Sequence, residues 1–147
     1  MRLDQLSRCG ALSASNNLAV VAEPGSSWSV GGDLTVGSAG AANLLAVTNG
    51  GTVTVAGNLY AGFNASSTNN TILVAGGNLM VTNPAGTSLA DIRGGTLELN
   101  GGLLATSRLL LTNGPAGTLS FTSGTLQSAG TAVTNGAPFG VGDGSSS

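Results

Sequence analysis

The sequence predicts an all-β protein, and within that class a right-handed parallel β-helix (a β-solenoid) of about five short coils, with a β-sandwich as the alternative. Three observations carry this. Only 7% of the 147 residues are charged and 3% aromatic, whereas glycine alone accounts for 25. Short runs of alternating apolar and polar residues fill the chain from Trp28 onward. Two kinds of turn recur between those runs, the glycine turns at steps of roughly 20–25 residues, the range of solenoid coils.

The composition comes first. A helical protein of this length needs Glu, Lys, Arg and Gln on its solvent faces. Here those faces must be made from Thr, Ser, Asn and Gly. Thr favours strands, and Asn and Gly favour turns. The chain is too rich in aliphatic residues and too poor in charge to be disordered. Its length is that of one domain.

The runs are taken in order. They are SWSV (27–30), DLTV (33–36), LLAVT (44–48), TVTV (52–55), NLYA (58–61), TILV (71–74), NLMVT (78–82), SLADI (88–92), TLEL (96–99), LLAT (103–106), RLLLT (108–112), TLSF (118–121), TLQS (125–128) and TAVT (131–134). Period-2 alternation marks strands with one buried face. The inward set predicted from parity includes Trp28, Val30, Leu34, Val36, Leu45, Val47, Val53, Val55, Leu59, Ile72, Val74, Leu79, Val81, Ile92, Leu97, Leu99, Leu109, Leu111, Leu119, Phe121 and Leu126.

One recurring turn is Gly-(Asp/Asn)-Leu, at Gly32-Asp33-Leu34, Gly57-Asn58-Leu59 and Gly77-Asn78-Leu79, with Gly101-Gly102-Leu103 as a variant. The other is aliphatic-Thr-Asn-Gly/Pro, beginning at Val47, Val81, Leu111 and Val133. A longer self-similarity aligns Gly50, Gly51, Thr52, Gly57, Leu59 and Ala61 with Gly94, Gly95, Thr96, Gly101, Leu103 and Ala105. A single such coil buries too little apolar surface to offset its own ordering, so units of this kind must stack. In a stack, a turn asparagine tolerates left-handed backbone, and its amide can pair with the asparagine of the next coil. The expected organisation is an irregular or capping segment at 1–25, solenoid repeats at 26–140 and a Gly/Ser tail at 141–147.

The same composition excludes much chemistry. The basic residues are Arg2, Arg8, Arg93 and Arg108, with no lysine and a net charge of −2. No basic face for nucleic acid or for an anionic membrane surface can be assembled from them. There is no histidine, which removes Ser-His-Asp and Cys-His pairs and the usual zinc sites. Cys9 is the only cysteine, so no internal disulfide is possible. Nothing approaches the ~18 apolar residues of a membrane-spanning helix. Neither a cofactor nor a metal is expected. A lone Asp143 in the terminal GVGDG stretch falls short of a calcium-binding repeat.

Two groups of residues remain as candidates. Asp91, Arg93 and Glu98 form the densest local charge cluster, with Arg108 expected one coil away. Two carboxylates flanking a glycosidic bond would make a hydrolase. An ordinary ion pair is the simpler reading, and no enzyme activity is expected. Tyr60 and Phe63 are the second group. Tyr60 alternates with inward Leu59 and so should face out, where an aromatic face can stack on a sugar ring. Asn64 and Asn69 head Asn-X-Ser/Thr sequences in the polar stretch 63–71, read here as a plain loop.

From about Trp28 to Asp143 the chain resembles the autotransporter-associated β-strand repeats common in PEP-CTERM-type exported bacterial proteins. The stretches that carry the likeness are GGTLELNGGLLATSRLLLTN (94–113), SGTLQSAGTAVTNGAPFGVGDG (123–144) and GNLYAGFN (57–64). The resemblance implies a right-handed parallel β-helix, export to the cell surface or beyond, and a passenger or stalk role. It brings no catalytic residue. The family's signal peptide, translocating barrel and sorting segment have no counterpart in these residues, and the sequence reads as an excerpt of a longer repeat protein. The expected function is structural or adhesive, with contact to polysaccharide or self-association through coil ends. The alternatives are a fragment of a carbohydrate-active β-helix enzyme using Asp91 or Glu98, and a self-assembling filament unit.

Overall fold

The computed structural model describes residues 2–3, 7–9, 14–111, 117–136 and 139–141. All regular structure among them is β, and every strand pairing is parallel. Sixteen strands wind into a three-faced solenoid. The first face stacks β3 (Leu18–Val21), β6 (Leu44–Thr48), β9 (Asn70–Ala75), the start of β12 (Gly95–Thr106), the start of β14 (Thr118–Ser128) and β16 (Phe139–Val141). The second stacks β1 (Arg2–Leu3), β4 (Ser27–Val30), β7 (Thr52–Val55), β10 (Gly77–Val81) and the later halves of β12 and β14. The third stacks β2 (Ser7–Cys9), β5 (Leu34–Val36), β8 (Leu59–Ala61), β11 (Leu89–Ile92), β13 (Arg108–Leu111) and β15 (Thr131–Val133). Among the described residues each face thus has six rungs, four of them paired on both sides. The rungs of the stretch 1–25 stack on the coil that follows them. Cys9 lies in β2, and Asp4, Asn113 and Asp143 fall outside the described residues.

The stacked rungs form the parallel β-solenoid of short coils expected from sequence. The coils are longer than 22 residues in the first half and shorten along the chain. On the first face, Leu18 pairs with Leu44, Leu44 with Thr71, Thr71 with Thr96, Thr96 with Thr118 and Leu119 with Phe139, steps of 26, 27, 25, 22 and 20. The corners account for the change. Between the first and second faces the chain spends 22–26, then 49–51, then Gly76 alone. In β12 and β14 it runs through that corner as one strand, with the register shifting between Leu99 and Leu103. Gly101 and Gly102 make the bend at φ +105° and +84°, a backbone that a side chain would oppose.

The interior follows the alternation. Every inward residue named from parity lies in the core or packs against it, and Ala61, Ala90 and Leu104 complete it. Because rungs are in register, each inward position becomes a column. One runs Trp28, Val53, Leu79, Leu104 and Leu126. Burying a branched aliphatic contributes roughly 1.5–3 kcal/mol, and a column denies water to both sides of each member.

The recurring turns are corner signatures rather than coil markers. Leu34 stacks on Leu59 across one coil of the third face, but Leu79 belongs to the second face and stacks on Val53. Likewise Thr52 pairs with Asn78 on the second face, whereas its look-alike Thr96 pairs with Thr71 on the first. The unit that repeats in sequence is one strand with the corners at its ends, because any side of the triangle makes the same physical demands. Side chains at the corner into the third face then tie coil to coil. The Asn58 N–H donates to Asp33 Oδ1 at 2.7 Å, and the Leu89 N–H donates to Asn58 Oδ1 at 3.1 Å.

An asparagine ladder does form, at the entry to the first face. Asn17 donates from its backbone and its Nδ2 to Asn43 Oδ1, at 3.1 and 2.8 Å. Asn43 does the same to Asn70 Oδ1, at 3.0 and 2.9 Å. Asn70 Nδ2 donates to Ser67 Oγ, which reaches the carbonyls of Gly37 and Gly40. Asn43, Asn70 and Ser67 are buried. Two asparagines of the Thr-Asn-Gly/Pro turns act singly instead: Asn49 adopts φ +48°, and Asn83 bonds Thr87 and the Ala56 carbonyl.

Candidate functional site

Four of the five residues proposed from sequence meet at the corner between the third and first faces. Tyr60 and Asp91 are register partners in β8 and β11. Their strand neighbours Leu59, Ala61, Ala90 and Ile92 are fully buried in the core, so alternation turns Tyr60 and Asp91 outward. Arg93 follows β11, where its N–H bonds the Ala61 carbonyl at 2.9 Å. Phe63 follows β8, where its N–H bonds the Gly37 carbonyl at 2.9 Å.

Two glycines bring these segments together. A Cβ on Gly62, at φ +69°, would stand 2.5 Å from Gly94 Cα and from the Ser67 carbonyl oxygen. A Cβ on Gly94 would stand 2.3 Å from that same oxygen. Only bare backbone allows the loop 62–69 to lie this close to the turn after β11.

Arg93 is the centre of the cluster. Its Nε donates to Asp91 Oδ2 at 2.8 Å. Its guanidinium carbon lies 5.0 Å from the Tyr60 ring centre and 4.8 Å from that of Phe63, within cation–π range. The two rings meet edge to face, with centres 5.0 Å apart and planes at 88°. The pair is therefore no solvated surface bridge: the Asp91 side chain is 2% exposed and that of Arg93 27%. Phe63 remains 41% exposed. Burial holds the Tyr60 hydroxyl above its ordinary pKa, Asp33 and Asp91 add to the rise, and Arg93 and a bond from Asn58 oppose it.

Glu98 stands apart. It sits on the first face, paired with Leu73 and Ser120, while Asp91 is on the third. The two carboxylates do not flank a common bond. Arg108 lies one coil from β11, paired with Leu89, and is exposed. Among the described residues no three of the His, Cys, Asp and Glu side chains gather as a metal site. No helix of the described residues is long and apolar enough to cross a membrane. Asn64 and Asn69 are exposed on the loop beside the cluster.

Sequence reasoning missed Asp33 as a neighbour of Tyr60, and the paired glycines. Both follow from the coil step: Thr35, Tyr60 and Asp91 are successive partners in one column, and Asp33 precedes that column by two residues. No protein-family model, curated protein or solved structure matches the chain.

Proposed function

We propose that this chain is a structural segment of a cell-surface or extracellular protein, a stiff spacer that contacts polysaccharide through the corner at Phe63. The carrying observation is an exposed aromatic ring held edge-on by Tyr60 and capped by Arg93, on a rod whose other outward residues are largely Thr, Ser, Asn and Gly. Such a ring offers an apolar face to sugar C–H groups, and the surrounding hydroxyls and amides suit sugar hydroxyls. Continuous ladders on three faces supply the stiffness. The separation of Asp91 from Glu98 favours binding over glycoside hydrolysis.

The test is retention of the purified chain on insoluble cellulose, chitin and xylan, alongside a soluble glycan array. Binding to at least one glycan, lost in Phe63→Ala with the thermal midpoint unchanged, supports the reading. Equal retention of wild type and Phe63→Ala sinks the sugar-contact part. Surface labelling of intact cells that express the parent gene addresses location: antibody access only after lysis sinks the cell-surface part.

A further inference from the structure

The cation at the Phe63 corner already has its counter-ion. The Arg93 Nε–H donates to Asp91 Oδ2 at 2.8 Å, and the Asp91 carboxylate is buried beside it. At that distance the pair presents almost no net charge to a ligand. Asp33 adds a negative charge within reach of the Tyr60 ring. Arg108 stands one coil on from β11, exposed to solvent, and the whole chain carries −2. Around Phe63 the exposed residues Asn64, Ser66, Thr68 and Asn69 are polar and uncharged. The corner as a whole offers an anion no attraction.

Its hydrogen-bond donors are a different matter. An arginine side chain donates and never accepts. Asp91 takes the Nε–H, whereas Nη1 and Nη2 meet no acceptor among the described residues. The guanidinium is nevertheless held in place. Asp91 pins one edge, and the rings of Phe63 and Tyr60 lie against it, with centres 4.8 and 5.0 Å from its carbon. Arg93 is 27% exposed and Phe63 41%, so the pinned fork and the ring reach solvent side by side. Fixed donors lose little freedom when a ligand hydroxyl accepts from them. The geometry thus supplies an arginine's donors without its net positive charge.

We propose that Asp91 sets the specificity of this corner: it cancels the charge of Arg93 while holding its donors in place, so that the site takes uncharged polysaccharide and turns acidic polysaccharide away. The sugar ring lies on Phe63, and its hydroxyl oxygens accept from Arg93 Nη1 and Nη2. A uronate carboxylate in the same place would share one cation with Asp91, and the two like charges oppose each other. Asp91 is a positioning residue here, acting through Arg93. This inference rests on the polysaccharide reading and adds the class of sugar.

The test measures retention of the purified chain by neutral glycans (xylan, mannan, β-glucan) and by uronate glycans (polygalacturonate, alginate) at low and high salt. The wild type should prefer a neutral glycan by about tenfold or more, and its binding should hold constant as salt rises, because no net charge is there to screen. Asp91→Asn keeps the shape and an oxygen for Nε but leaves the arginine charge uncompensated. It should gain uronate binding by about tenfold, a gain that high salt removes. Arg93→Lys keeps the charge without the planar fork and should lose neutral-glycan binding by about tenfold. Thermal midpoints are measured alongside; if Asp91→Asn does not fold, the preference of the wild type and its salt response decide. Three results overturn the inference while the sugar-contact reading stands: uronate binding by the wild type equal to or above neutral binding, neutral binding that falls with salt, or a folded Asp91→Asn with wild-type preferences. Retention by no glycan, or retention that Phe63→Ala leaves untouched, overturns both.

Discussion

At the residue scale, the buried asparagines and the single tyrosine separate structure from site. Asn43 is 1% exposed and engages Asn17, Asn70 and the Gly40 carbonyl. Alanine there strands the donors of Asn17, leaves Asn70 Oδ1 with only the backbone N–H of residue 43, and opens a gap among buried groups. Unsatisfied buried groups cost about 1–3 kcal/mol each, so Asn43→Ala should lower unfolding free energy by about 2–5 kcal/mol in urea titration. Asn64→Ala, on an exposed loop, should change it by less than about 0.5 kcal/mol. Tyr60 is the only tyrosine, so absorbance at the phenolate band reports it alone. Burial, and then Asp33, disfavours the phenolate, placing the folded pKa above the ordinary 10.0. The folded chain holds this proton more tightly than the unfolded one. Its contribution to stability is therefore full below pH 10 and is lost as pH rises through the raised value. Titration should give a midpoint above 10, lowered in Asp33→Asn, and Tyr60→Phe should remove that part of the alkaline loss. A wild-type midpoint at or below 10 contradicts the packing around the ring.

At the element scale, the corners decide which strands and which side chains meet. Gly62→Ala adds a Cβ 2.5 Å from the Gly94 backbone, and Gly94→Ala adds one 2.3 Å from the Ser67 carbonyl oxygen. Backbone cannot yield as a flexible side chain does, so each should cost more than about 2 kcal/mol and pull Phe63 away from Arg93. Gly86 shares the left-handed backbone, at φ +67°, but has open space around it. Gly86→Ala should cost only the conformational penalty of about 1 kcal/mol, and denaturation midpoints of the three variants test the ranking. Corners also set how far the sequence was legible. Strands from SWSV to TAVT and their inward residues were readable, because alternation and burial are the same fact seen twice. The pairs TLEL–LLAT and TLSF–TLQS read as separate strands, since the glycines between them look like turns; a wide bend in one strand uses the same residues. Short LAVV at 18–21 carries no alternation of polarity, so nothing marked it as a rung. Tyr60, Phe63, Asp91 and Arg93 were legible as two separate groups. Their union was hidden because it depends on the β8-to-β11 register, which the 20–25-residue steps left open and the seven-residue corner 82–88 lengthens.

At the scale of the whole molecule, a solenoid is a one-dimensional stack, in which an interior coil has two neighbours and a terminal coil one. The two halves differ beyond that. In the first half the corner loops bond one another: the Asn64 N–H reaches the Ser38 carbonyl, the Ala42 N–H that of Thr68, and the Asn16 N–H that of Ala41. The asparagine ladder runs through the same coils and stops at Gly95, the register partner of Asn70. Gly117, which precedes Thr118 as Gly95 precedes Thr96, continues the column without a side chain. In the last coil Phe121, Leu126 and Val133 are only partly buried. Opening should therefore begin there and travel inward, with local free energies well below the global value. Amide exchange should be slowest in β7, β9, β10 and the first half of β12, and fastest in β15 and the second half of β14. Leu79→Ala, at a fully buried position in the middle of the stack, should cost about 2–5 kcal/mol and speed exchange across its neighbours. Leu126→Ala should cost less and act only on the terminal coil. Uniform protection along the chain, with both variants lowering it equally, would mean that the coils open as one unit and that the loop bonds and the asparagine ladder do not set the order.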